Sequence, residues 1–178
     1  MVMWVKYGCL GLCCTVLAAC GSLSGTAAKA KKTARPAVAK TAPIQIRHIN
    51  REAGAQELML RSMALVGTPY RYGGSSRDEG FDCSGMVQFL YKDAFNVALP
   101  RTARDMAAVS RPIRRQDLKV GDVVFFNTGG HPYSHMGLYI GNGEFIHAPS
   151  SRGTIRTARL DQPYFSSRFT GAHTFFAP

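Results

Sequence analysis

Ala55, Leu58, Met59, Met63 and Val66 recur at helical spacing, and Gly67 followed by Thr68-Pro69 supplies a stop. The pattern predicts a first helix, with the methionines as core filler. A glycine-rich loop follows, PYRYGGSSRDEG from Pro69 to Gly80, without the strand and lysine that a phosphate cradle needs. A second apolar face, Val87, Leu90, Tyr91 and Ala94, predicts a helix that begins near Cys83 with Asp82 as its N-cap. The stretch LPRTARDM then brings Pro100 and a capping Thr102, opening a short third helix. After Gly121 the texture turns from helix to strand: Asp122 to Phe126, His135 to Ile140, Glu144 to Ala148, Thr154 to Ala158 and Phe169 to Phe176. Helices first and strands afterwards predict an α+β domain, the N-terminal helices packed on one face of a mainly antiparallel five-stranded sheet.

The N-terminal pattern is of another kind. MVMWVK carries one charge, Lys6, and an apolar run from Tyr7 to Leu17 leads to Ala18, Ala19 and Cys20. These are the regions of a secretory signal, residues 1–19; the run is short for a membrane span, which leaves an uncleaved anchor as the weaker alternative. Leu17-Ala18-Ala19-Cys20 resembles the bacterial lipobox, which implies that Cys20 becomes the lipidated first residue of the mature chain. Gly21 follows where an inner-membrane retention signal usually has aspartate. In an organism with two membranes, the expected location is therefore the outer one, facing the periplasm.

Charge divides the remainder. Between Gly21 and Arg47 lie six cations, no acid and no aromatic residue. Residues 20–47 are thus expected to form a basic, disordered tether. Such a run also suits a nucleic-acid-binding tail, but export removes that partner, so no nucleic acid is expected. The chain has net charge +11, and setting aside Lys6 and the six tether cations leaves fifteen cations against eleven acids, +4, for residues 48–178. That length is one domain, large enough to bury a core without disulfides.

Of five cysteines, Cys9, Cys13 and Cys14 leave with the signal and Cys20 is blocked by lipid, so Cys83 has no partner. An unpaired thiol in an exported protein is either buried and inert or kept for its reactivity, and the count leaves both readings open. In a helix's first turn, the macrodipole and free N–H groups favour the thiolate and can hold an oxyanion. A thiol nucleophile needs a base, and histidine is the usual one. His48, His131 and His173 read as solvated or core histidines. His135 and His147 flank one predicted hairpin, HMGLYIGNGEFIH, and can stand side by side. A zinc site on these residues lacks a closing ligand, whereas Cys, His and a third polar group follow the logic of a thiol-protease triad.

The blocks GTPYRYGG (Gly67 to Gly74), GFDCSG (Gly80 to Gly85), LPRT (Leu99 to Thr102), GDVVFF (Gly121 to Phe126) and SHMGLYIGNGEFIHA (Ser134 to Ala148) occur in this order. Together they resemble the NlpC-type family of papain-like cell-wall cysteine peptidases, especially its small lipoprotein murein endopeptidases. The resemblance implies that Cys83 attacks a peptide carbonyl, that His135 acts as base and then acid, and that His147 orients His135. It also implies that Tyr70 lines the pocket and assists the oxyanion. Asp82 and Ser84 would touch the substrate peptide, Asp82 being equally a helix cap. Arg71, Arg77 and Arg101 are candidates for meeting substrate carboxylates, against the plainer reading of solvated arginines. No metal or organic cofactor is implied. The implied partners are peptidoglycan stem peptides and, through lipidated Cys20, a membrane; the expected state is a monomer. An amide hydrolase or acyltransferase on another substrate is the rival within enzymes, and a wall-binding adaptor the rival outside them.

The hairpin constrains this reading. A two-residue Asn142-Gly143 turn with regular pairing sets Leu138 opposite His147 and puts the two histidines on opposite faces. A three-residue loop, Gly141 to Gly143, sets Ile140 opposite Glu144 and Gly137 opposite His147, so that both histidines share one face. The triad therefore predicts the odd-length, bulged loop, with both histidines facing the helix that carries Cys83.

Overall fold

In the computed structural model, residues 42–149 and 153–178 are described. The signal, Cys20 and most of the tether lie outside the described residues. Asn50 starts helix α1 (Arg51–Met63) by accepting hydrogen bonds from the amides of Glu52 and Ala53, at 2.9 and 3.2 Å. This helix corrects the expected inward face: Gly54, Leu58 and Ser62 are buried, whereas Met63 and Val66 are 49% and 46% exposed. The buried stripe runs along i, i+4 and i+8, and Ser62 lies on it because its hydroxyl donates to the Met59 carbonyl at 2.8 Å. Met63 is therefore not core filler.

A two-stranded ribbon, β1 (Ser75–Ser76) and β2 (Gly80–Phe81), leads into α2 (Cys83–Phe95) and the six-residue α3 (Ala103–Ala108). Then come β3 (Arg111–Ile113), β4 (Val123–Phe126), β5 (His135–Gly141), β6 (Glu144–His147), β7 (Arg156–Arg159), the short α4 (Pro163–Ser166) and β8 (Phe169–Thr174). The fold is α+β, and the sheet is antiparallel with order β3-β8-β4-β5-β6-β7. It has six strands, one more than expected. The addition, β3, is three residues long with Pro112 at its centre, and it pairs with β8 alone. A proline cannot donate to a ladder, so such a segment is confined to a sheet edge and carries little strand pattern.

The sheet is covered on both faces. Val123, Phe125, Met136, Leu138 and Ile146 pack with Met86, Val87, Leu90 and Tyr91 of α2. Their alternates Val124, Phe126 and Phe145 form a second cluster with Ala158, Leu160 and Phe165. All of β4 is consequently buried, which accounts for its unbroken apolar run. At the N-terminal side, the Ile44 amide donates to Val109 (2.7 Å), that of Ile46 to Phe175 (2.8 Å), and that of Ala177 to Ile46 (3.1 Å). Residues 44–47, expected as the end of a free spacer, are thus docked, with Ile46 only 3% exposed. The folded unit begins before residue 48.

Candidate active site

Four consecutive residues build one side of the site. Asp82 caps α2, its Oδ1 accepting from the Gly85 amide at 2.7 Å, and its Oδ2 accepts from the Gly73 amide at 3.0 Å. Arg101 closes on the same carboxylate with two hydrogen bonds, 3.0 Å to Oδ1 and 2.6 Å to Oδ2. It also donates to the Ser84 hydroxyl at 3.0 Å. Burial alone would raise the Asp82 carboxyl, but Arg101 and the two amides hold it below the usual range. The helix end lies against the glycine-rich loop: a Cβ on Gly85 would sit 2.1 Å from the Gly74 carbonyl oxygen, so no side chain fits there. This knot of Asp82, Ser84 and Arg101 holds Cys83 in the first turn, half-buried, on the wall of a cavity of about 650 Å³. Tyr70 and His135 line the same cavity.

The thiol differs from the expectation. Burial pushes Cys83 up to about 11, with the Asp82 charge adding to it. The amides of Met136, Ser84 and Cys83 itself pull downward, but desolvation outweighs them. The resting sulfur is a thiol rather than the thiolate that a helix terminus alone would favour.

The histidines are brought together across the hairpin. Asn142 and Gly143 have φ of 52° and 77°, and Gly141 pairs with Glu144, so the turn has two residues. The expected three-residue loop, with Ile140 opposite Glu144, is therefore corrected. Register shifts between Tyr139 and Gly141, where Gly141 adopts φ 99°, and beyond this bulge Tyr139 faces Phe145 and Leu138 faces Ile146. One step further along the ladder Gly137 meets His147, and both histidines fall on one face. There is room only for glycine at 137, where a Cβ would lie 2.6 Å from the Phe145 ring and 2.7 Å from the Ile146 carbonyl oxygen. His135 Nε2 and His147 Nδ1 are 2.9 Å apart, with the rings edge to face.

That face is not the expected one. Alternation places both imidazoles with Phe126, Phe145 and Phe165, at ring separations of 6.2 Å for Phe126–His135 and 5.2 Å for His147–Phe165, and α2 covers the opposite face. His135 nonetheless reaches the Cys83 cavity because it is the first residue of β5, at the open end of the sheet. His147 lies behind it, on a neighbouring cavity of about 400 Å³ shared with Thr128, Arg156 and Tyr164. Burial depresses both imidazoles, His135 to about 4 and His147 to about 3, the latter also opposed by the charges of His135 and Arg156. The buried His147 Nε2 has no hydrogen-bond partner among the described residues.

The other named residues scatter. His173 is buried against the Ser110 hydroxyl at 2.9 Å, and His48 is exposed. Arg77 lies over the Phe89 ring, 5.5 Å from its centroid, and donates to the Ala64 carbonyl at 3.3 Å; neither it nor Arg71 lines the cavity. Arg104 and His131 do line it; Arg104 lies three residues beyond Arg101 but outside the LPRT block, and no motif singles it out. Among the described residues, no three His, Cys, Asp or Glu side chains gather as a metal ion would require.

A family model described as the NlpC/P60 family matches residues 67–174. Murein DD-endopeptidase MepH of Escherichia coli (strain K12) is 42% identical over 123 residues, 67% of this chain and 45% of that protein. The same strain's probable endopeptidase NlpC is 44% identical over 104 residues, 58% of this chain and 66% of that protein. A solved NlpC/P60 family protein from Bacillus cereus is 28% identical with a TM-score of 0.65, over 69% of this chain and 40% of that one. The chain spans under half the length of the first relative and about two thirds of the second.

Proposed function

The chain belongs to the NlpC/P60 family, and on that footing we propose that it is a peptidoglycan (murein) endopeptidase, hydrolysing stem-peptide amide bonds through a thioester on Cys83. The observation that carries this reading is the meeting, on one cavity, of a helix-terminal thiol and a histidine whose far nitrogen is held by a second histidine. The relatives' names as endopeptidases support it.

In the proposed reaction the Cys83 sulfur forms a bond to the peptide carbonyl carbon while its proton passes to His135. His135 returns that proton to the departing amine, leaving the thioester. Water then attacks the acyl carbon, giving its proton to His135, and the carboxylic acid departs as the thiol is restored. With Nε2 engaged by His147, Nδ1 is the His135 nitrogen free to take a proton. His135 must then carry its resting proton on Nε2 and donate it to His147 Nδ1, which leaves the His147 proton on Nε2. Tyr70 and the amides around the sulfur are the groups offered to the oxyanion.

The chain is also proposed to be a lipoprotein held to the outer membrane's periplasmic face by Cys20, on the strength of Leu17-Ala18-Ala19-Cys20 and Gly21. All the site residues come from one chain, so a monomer suffices. Incubating the protein with muropeptides and mapping products by mass tests the activity. One stem-peptide or crosslink amide is expected to be cut, with turnover lost in a folded Cys83→Ala variant. Cleavage that survives this substitution, or none by the wild type, would refute the reading.

A further inference from the structure

The cavity's charges do not balance. Asp82 and Arg101 cancel in their two-bond pair. Cys83 and His135 are uncharged near neutral pH, since burial moves the thiol up and the imidazole down. Arg104, in the first turn of α3, lines the same cavity and has no carboxylate partner among the described residues. Asp105, its neighbour in sequence, is turned back onto the helix cap, its carboxylate accepting from the Thr102 hydroxyl at 2.8 Å. The cavity therefore carries one uncompensated cation.

The partner that Arg104 does have is a poor one. Its Nη2 lies 2.9 Å from Nδ1 of His131, which comes from the loop between β4 and β5. A guanidinium only donates, so Nδ1 can meet it only with its lone pair, in the tautomer that carries the ring proton on Nε2. The same Nδ1 is 3.1 Å from the Pro132 carbonyl oxygen, which also only accepts. Nδ1 can donate to that carbonyl only in the other tautomer, so Arg104 and the Pro132 carbonyl compete for the same ring nitrogen. A carboxylate would offer the guanidinium two acceptor oxygens sharing a full negative charge in place of one contested ring nitrogen.

We infer that Arg104 is a specificity-determining residue that binds a free carboxylate of the peptide substrate, displacing His131 from the guanidinium. This deepens the peptidase reading and rests on it. The test uses the full chain and two stem peptides that differ only in bearing free carboxylates or carboxamides. Arg104 is exposed, so the wild type is expected to favour the acid form by about threefold in KM, the size of one solvent-screened charge pair. Arg104→Gln should abolish that preference, read as the ratio of KM values for the two peptides, and Arg104→Lys should keep part of it. Binding of both peptides to Cys83→Ala, with and without Arg104→Gln, reads the same preference without any bond being cut. A chain that binds the acid form selectively through Arg104 but cleaves neither peptide supports this inference and sinks only the peptidase reading. A preference that Arg104→Gln leaves intact, or no preference in the parent, overturns it.

Discussion

The two sides of the Cys83 cavity are assembled in opposite ways. Asp82 to Gly85 are consecutive, and within them lie the cap, the thiol and the small residue that lets the helix end meet the loop. His135 and His147 are twelve residues apart and meet only because a bulge at Gly141 restores the pairing that a two-residue turn would otherwise have shifted. The thiol's side depends on local chemistry. The histidines' side depends on a count of residues, and the difference predicts where each will fail.

The largest effect expected lies on the histidine side. His147→Ala removes the acceptor that holds His135 Nε2, and kcat/KM should fall about 10²-fold, as for a disabled acid–base pair. His147→Asn, which keeps an acceptor, should lose much less. Equal losses in steady-state kinetics would show that His147 does not act through its hydrogen bond. Next in size is Asp82→Ala, which deletes the cap and strands Arg101. It should cost about 2 kcal/mol in denaturant unfolding, allowing for Arg101 being partly exposed, with the histidine pair intact. A stability unchanged within error would mean that the cap does not anchor the helix.

A smaller effect separates the bulge from the turn. Gly141→Val forces a β-branched residue toward φ 99°, with its Cβ 3.3 Å from Val120, and should cost at least about 1 kcal/mol along with activity. Deleting Gly141 removes the bulge together with the residue that requires it, so Ile140 can face Glu144 with Gly137 still opposite His147. That deletion should leave kcat/KM within about threefold. If the deletion proves worse than the valine, the bulge has a role beyond register.

The smallest effect is a displacement of the pH profile. Because burial lowers His135 from 6.5 to about 4, the imidazole stays able to accept a proton well below pH 6. The acid limb of kcat/KM should therefore fall below pH 5 instead of near 6.5. Stability has the same sign: the unfolded chain binds protons at these histidines first, so stability is full above about pH 6.5 and is lost as pH falls toward 4. A half-maximal kcat/KM near pH 6.5 would place His135 in contact with water or a stabilising charge.

Along the chain, what was legible was whatever neighbouring residues decide among themselves. Helix α2 and its cap, the placing of Cys83 in its first turn, and the strands that carry the histidines all follow from spacing and residue type. Strand β3 escaped because three residues around a proline have no alternation to read. The inward face of α1 escaped for a different reason. Two apolar stripes share that helix, and only what packs against it selects Leu58 over Met63.

The chemistry divides along the same line. The sequence by itself determined a cysteine, the one beyond residue 20, at a helix terminus and two histidines on one hairpin, because caps, periodicity and turn residues act over a few positions. Tertiary structure alone decided that the thiol stays protonated, since a helix end is local while desolvation depends on every group that excludes water from the sulfur. It also decided which sheet face bears the imidazoles, because that parity turns on one bulged residue and the packing of Phe126, Phe145 and Phe165. And it decided that Arg101 is neutralised while Arg104 is left as the cavity's free charge, because ion pairing depends on which carboxylate the fold brings near, not on how the arginines are spaced along the chain.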